Sequence, residues 1–351
     1  MAFAFSFAAA FAHAQGCSDA GLCSFGALNV LGYKYVNLPL DQTRLSTVDV
    51  VDTGLNGALE DTLHPVAGND SVHTIQAHPV LPADTLPPDH LVSCELTEYY
   101  GAGEQGTSVF ITQLEGNFNL IDQRLYGQVK LPYSIVSGKL GNTNGLGDIT
   151  MSLSYVAFSS RRSNLSIAAG VKLPSNSSNL SLNNRPLPMV YQTSLGSTDL
   201  LLGTRFSYGK WDFSAGYQHS FNANGNRYVH SSLVSDSLIY NAYAETDGYR
   251  RADDGVFRVN RKFQVNKSYL STSLLFIYHI ANDDYTNAAG QRLKAVNSQG
   301  LTLNLDVAGN IPVSKNAAFT FIIAKPLIQR KNAPDGLSRS FVGIIGIKRN
   351  F

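Results

Sequence analysis

Three observations predict that this chain is all-β: a transmembrane up-and-down antiparallel barrel of about twelve strands, preceded by an irregular N-terminal segment. Charged residues make up only 15% of the 351, where soluble domains carry roughly 25%, so part of the surface faces something other than water. After residue 15 no run of about 18 apolar residues occurs, so the sequence offers no spanning helix. A closed barrel is the remaining way to satisfy every backbone group in lipid. From about residue 89 onward, apolar side chains alternate with small or polar ones at period two. That is the pattern of a strand with one face in lipid and the other in a wet lumen. The 17 Tyr and 18 Phe against a single Trp fit the same reading.

The first fourteen residues read as an export signal. Ala2 to Ala12 is an apolar run of Ala and Phe, and Ala12-His13-Ala14 is an A-x-A cleavage pattern before Gln15. The usual basic start is missing, since no Lys or Arg precedes Lys34. Residues 15–88 carry Pro39, Pro65, Pro79, Pro82, Pro87 and Pro88 with no sustained alternation. They are expected to form an irregular segment, either periplasmic or folded into the barrel mouth as a plug, with a tether as the plain alternative. Cys17 and Cys23 lie close enough in sequence for a small disulfide loop in an oxidising compartment, or Cys17 is a lipidated cysteine. Two thiolates with no histidine nearby are too few for a metal site, and neither metal nor cofactor is expected. Cys94 is expected to be unpaired on the first strand. His64, His73 and His78 read as solvated loop residues.

The barrel is expected over 89–351. Leu301-Thr302-Leu303-Asn304-Leu305-Asp306-Val307 alternates without exception. Leu165, Ile167, Ala169, Val171 and Leu173 form one apolar face opposite Ser166, Ala168, Gly170 and Lys172. Trp211, Phe213, Ala215 and Tyr217 alternate with Asp212, Ser214, Gly216 and Gln218, and Ile149, Met151, Leu153 and Tyr155 with Thr150, Ser152 and Ser154. Twelve such segments fall at about 89–101, 105–118, 121–134, 145–160, 163–174, 195–208, 210–221, 252–264, 267–281, 299–311, 316–327 and 338–351. Short links near Leu120, Arg161, Gly209, Asn266 and Lys315 alternate with links that are mostly long, as periplasmic turns alternate with outer loops. Phe341, Ile345, Ile347 and Phe351 share a face with Arg349, which can snorkel at the membrane rim. The terminal Phe351 reads as the signal that barrel-assembly machinery recognises. The implied surroundings are outer-membrane lipid in a bacterial outer membrane.

Inward positions set the candidate site. Arg124, Lys130, Lys172, Asp199, Arg205, Asp212 and Asp306 are predicted to line the lumen, either as a polar path or as pairs that brace the barrel. An enzymatic reading finds no support. His219 and Ser220 are adjacent and so point to opposite faces of a strand, out of reach for a base and its nucleophile. Nucleotide, zinc-protease and paired-carboxylate motifs are lacking. A net charge of +1 gives no reason to expect nucleic acid as a partner.

Leu131-Pro132-Tyr133, then a loop, then Gly145-Leu146-Gly147-Asp148-Ile149 opening the next strand, resembles the outer-membrane transporters linked to phenol-degradation pathways. Those are relatives of the long-chain fatty-acid transporter barrels. Val171-Lys172-Leu173-Pro174, closing an outward strand, fits the same style. The resemblance covers residues 89 to 351 and is most specific over 121–175. The fatty-acid transporters' plug has no match in 15–88, and their larger strand count is not met. The resemblance implies passive diffusion of small, hydrophobic solutes. The alternative is a structural or surface-interaction barrel with a plugged lumen and no flux, whose loops near 175–194 and 222–251 do the work.

Overall fold

The computed structural model describes residues 91–121, 124–160, 162–236, 238–336 and 340–351. The export signal, the 15–88 segment, Cys17 and Cys23 lie outside them. The strands in chain order are β1 Leu91–Ala102, β2 Ser108–Ile121, β3 Leu125–Gly138, β4 Gly141–Leu146, β5 Ile149–Ser159 and β6 Ser163–Leu173. Next come β7 Ser181–Leu182, β8 Arg185–Pro186, β9 Asp199–Tyr208, β10 Trp211–Ser220, β11 Asp247–Arg250 and β12 Asp254–Val265. The last six are β13 Ser268–His279, β14 Asp284–Thr286, β15 Arg292–Lys294, β16 Gly300–Pro312, β17 Ala317–Ile328 and β18 Val342–Asn350.

Each long strand pairs antiparallel with the next in sequence, and β18 pairs with β1, Ile345 opposite Glu98. The wall therefore closes. β4 and β5 both pair with β3 and act as one strand broken at Gly147 and Asp148, giving twelve in the barrel. Closure leaves no edge whose N–H and C=O groups would meet lipid unpaired. The segment expected at 252–264 does form a strand, β12 at Asp254–Val265, despite the three cations Arg258, Arg261 and Lys262. Arg258 and Lys262 point inward to carboxylates, at 2.8 Å from Asp306 and 2.8 Å from Asp212. Arg261 lies outward over the Trp211 and Phe263 rings, 5.1 and 5.3 Å from their centroids.

The alternation maps to the two faces as the sequence predicts. Ile167, Leu305 and Ile345 are 49, 42 and 55% exposed, whereas Lys172, Arg205 and Asp306 are 3, 3 and 4% exposed. A soluble barrel would place the leucines inside. Here Leu96, Phe110, Leu114, Leu131, Leu153 and Phe206 join them in an outward band, an apolar surface that a soluble monomer does not present. One carboxylate interrupts that face: Glu98 shares the outward side of β1 with Leu96 and Tyr100 and accepts from Thr112 Oγ1 at 2.9 Å. Cys94 is free and half-buried on β1.

The two ends differ. Short turns at 122–124, 160–162, 209–210, 266–267 and 313–316 share one end with Leu91 and Phe351. Asn266 supplies the left-handed backbone, φ 56°, that the turn between β12 and β13 requires. The long connections 174–198, 221–253, 280–299 and 329–341 lie at the other end, the outer one in such barrels. They carry β7, β8, β11, β14 and β15, which lie outside the barrel sheet.

Candidate functional site: the barrel interior

In the half nearer the short turns, the inner wall is mostly polar, with a small apolar cluster of Tyr126 and Val156. Lys130 Nζ lies 3.2 Å from Glu115. Gln128 Nε2 donates to Glu115 and to Asn117, each at 2.8 Å, and Asn117 donates to Ser93 at 3.2 Å. Across the wall, Asp212 receives Arg205 at 2.7 Å, Lys262 at 2.8 Å, Ser207 Oγ at 2.6 Å and Asn260 at 3.2 Å. Asp306 receives Arg258 and the Ser273 hydroxyl. Inward residues such as Gln113, Ser152, Asn260 and Ser271 are half-buried.

Toward the outer end the interior tightens. Lys172 lies 2.9 Å from Asp199 and 3.8 Å from Asp148. Asp199 also accepts from Gln218 and Ser197, and Asp148 from Ser194 Oγ and the Leu195 N–H. A second knot sets Arg251, Arg330 and His279 against Asp254, Asp283 and Asp335. Both ring nitrogens of His279 lie 2.7 Å from carboxylates, those of Asp254 and Asp283. Arg251 reaches Asp254 and Asp335, and Arg330 reaches Asp335. This knot ties three outer loops to the ends of β12 and β13. Burial pushes the Asp335 carboxyl up, but the Arg330 and Arg251 guanidiniums outweigh it and hold that carboxyl well below the usual range.

The outer mouth contains an apolar core. Tyr99, Val109, Ile111, Val136, Ala324 and Val342 point inward from β1, β2, β3, β17 and β18. They are covered by Leu187, Val190, Tyr191, Tyr228, Tyr240 and Tyr243 from the loops. Tyr191 is wholly buried. Its hydroxyl accepts the Leu140 N–H at 3.1 Å and lies 3.2 Å from the Tyr243 hydroxyl, while its carbonyl accepts Thr143 Oγ1 at 2.5 Å. Two glycines make the space. A Cβ on Gly138 would stand 2.2 Å from the Tyr191 hydroxyl, and one on Gly336, at φ 69°, would stand 2.4 Å from the Val190 Cα. Gln192 and Asn226 fold the loop back by donating to the Leu187 carbonyl at 2.7 and 3.1 Å.

Six of the seven predicted inward residues lie inside: Lys130, Lys172, Asp199, Arg205, Asp212 and Asp306. Arg124 does not. β3 begins at Leu125 rather than 121, and Arg124 stands exposed in the turn, its N–H donating to the Ile121 carbonyl at 2.8 Å. His219 and Ser220 point apart. His219 pairs with Asp253 at 2.8 Å, and Ser220 is buried on the inner side. Sequence reasoning missed Glu115 and Lys262, although parity with Asn117 and Asn260 marks both as inward. It also missed the Arg251, His279 and Asp335 knot, which no local pattern signals.

No family model matches the chain, and no curated protein matches it. Among solved structures, an outer membrane channel from Pseudomonas putida F1 is similar, at 16% identity and a TM-score of 0.53, over 78% of this chain and 100% of that one. The chain shares the closed-barrel fold of that channel. At that identity the likeness is one of fold. The NanC porin matches 74% of this chain and 100% of its own at 9% identity, with a TM-score of 0.44.

Proposed function

We propose that this barrel is an outer-membrane channel for passive diffusion of small hydrophobic solutes, shut at its outer mouth by its own loops. The observation that carries this reading is the apolar inner wall at that mouth. Tyr99, Val109, Ile111 and Val136 form it, and what covers them is loop rather than strand: residues 187–191 with Tyr228, Tyr240 and Tyr243. A loop held by a few hydrogen bonds withdraws more readily than a wall strand, and a small apolar solute can replace its contacts. Lys130, Arg205, Asp212 and Asp306 then line the lower passage, and their mutual pairing keeps the wall braced while the solute passes.

The test is uptake into proteoliposomes of a small aromatic solute against a sugar of similar size. Wild type should admit the aromatic solute faster. Tyr191→Ala, which empties the socket beside Gly138, should raise uptake by about tenfold, the effect of relieving roughly 1.4 kcal/mol of closure. Equal exclusion of both solutes by both proteins would sink the reading. The surface-interaction alternative draws on a specific feature: Val234 and Leu238, on the 221–253 loop, are 89 and 87% exposed. Absence of flux in the same assay favours it.

A further inference from the structure

The two ends of the barrel differ in charge as well as in the length of their connections. The four long outer connections mix seven carboxylates with nine Lys and Arg, whereas the five short turns hold six Lys and Arg and one carboxylate, Asp122. Each short turn presents an exposed cation: Arg124, Arg162, Lys210, Lys267 and Lys315. The sixth junction of that rim, where β18 meets β1, carries exposed Arg349. One cation therefore recurs at every second strand around the whole circumference. Strands lie about 4.8 Å apart and tilt by roughly 40°. Neighbouring cations thus stand about 12 Å apart along the rim, close to one screening length at about 0.1 M salt, and their fields merge into a continuous positive band. Outer cations such as Arg185, Arg251, Lys294 and Arg330 pair with carboxylates; among the described residues the six inner ones pair with none. The backbone holds the ring in place. The carbonyls of Arg124, Arg162 and Lys210 accept N–H groups from Val156, Gly209 and Lys262 at 2.8, 2.9 and 2.8 Å.

A second observation fixes the depth of that ring. Phe158, Tyr208, Trp211, Phe263 and Phe351 are exposed within a few residues of the same turns and chain end. Arg261 lies over the Trp211 and Phe263 rings and Arg349 over Phe351. Aromatic girdles sit where hydrocarbon gives way to headgroups, so cations just beyond the girdle stand at the level of the lipid phosphates. We infer that the ring binds the phosphate groups of anionic phospholipids, of the phosphatidylglycerol type, in the leaflet around the short-turn end. A set of cations spread around a circumference meets many headgroups, one at each junction, rather than a single ligand. Arg124, Arg162 and Arg349 can donate to a phosphate through two N–H groups at once, and the three lysines act as point charges. The inference rests on the reading that the outward apolar band faces lipid, and it is independent of any flux through the lumen.

Spin-labelled lipid tests this on the full-length protein folded in phosphatidylcholine vesicles. A trace of phosphatidylglycerol or phosphatidylcholine, labelled near the end of one acyl chain, is added, and electron paramagnetic resonance measures the fraction immobilised against the barrel. At about 0.1 M salt, wild type should hold phosphatidylglycerol about fivefold more strongly than phosphatidylcholine, the effect of one basic side chain near an anionic surface. The preference should fall below about twofold at about 1 M salt, where screening shortens to about 3 Å. It should fall similarly in R124Q/R162Q/K210Q/K267Q. It should persist in K139Q/R227Q, which removes two exposed cations from the outer end. Heat-modifiable migration confirms that both variants are folded. Equal immobilisation of the two lipids by wild type overturns the proposal. So does a preference that high salt leaves intact, one that survives in the inner-rim variant, or one that the outer variant lowers as much. Absence of immobilised lipid of either kind would overturn the membrane reading as well, whereas immobilised lipid without a preference overturns the proposal alone.

Discussion

At the scale of single residues, the interior shows what a charge inside a barrel demands. Lys172 sits 2.9 Å from Asp199 and is 3% exposed, so neither partner has water as an alternative. Removing one member of a buried pair strands the other and costs about 3–5 kcal/mol. Lys172→Met should therefore lower the unfolding free energy of the barrel, measured by urea titration in detergent, by an amount in that range, with Asp199 and Asp148 left uncompensated. Lys172→Met combined with Asp199→Asn should recover part of it. A single variant as stable as wild type would show that water reaches the site. The position was legible in the sequence because Lys172 breaks an apolar alternation from the inner side. Asp199 was named as inward too, but their pairing was not legible, since Asp199 is 27 positions away and only the register Lys172 opposite Asp199 brings them together. Arg124 fails for the opposite reason: strand parity says nothing where a strand has ended.

Among the elements, the strands were readable and the loops were not. Period-two alternation is a local property, and each strand shows it whether or not its neighbours are known. The same logic predicts that Leu305→Arg, on the lipid face, costs about 2–4 kcal/mol and impairs insertion. Gln113→Arg, on the half-open inner face, should insert normally, which a gel of heat-modifiable species would report. The fold-back of 187–191 into the mouth rests on Gly138, Gly336, Gln192 and Asn226, residues spread across four connections and strands, and no window of sequence holds them together. The loop knot has its own pH signature. Because Arg330 and Arg251 hold Asp335 below the usual carboxylate value of 3.8, its contribution is present at neutral pH and is lost only as the pH falls below that value. Hydrogen exchange of residues 329–336 should stay slow from pH 7 to pH 5, once corrected for intrinsic rates, and should rise at pH 3. Opening between pH 7 and 5 would mean that another group holds the loop.

For the whole molecule, closure is the decisive property, and β18 supplies it by pairing along its length with both β17 and β1. Deleting Val342–Phe351 would leave β1 and β17 as open edges facing hydrocarbon. Each unpaired backbone group there costs several kcal/mol, so a few of them exceed the 5–15 kcal/mol by which a folded domain is stable. That deletion should yield no heat-modifiable species in detergent refolding or in cells. Deleting Phe351 alone is a different experiment. It removes an exposed rim ring, the face over which Arg349 lies 5.4 Å from the centroid, and one hydrogen bond from its N–H to the Val92 carbonyl at 3.2 Å. Little of the wall depends on either, so refolding in detergent should proceed almost as in wild type. If Phe351 is also the mark read by the assembly machinery, the same deletion should sharply reduce folded protein in bacterial outer membranes. Equal losses in the two settings would make Phe351 a structural residue, and no loss in either would remove it from assembly altogether.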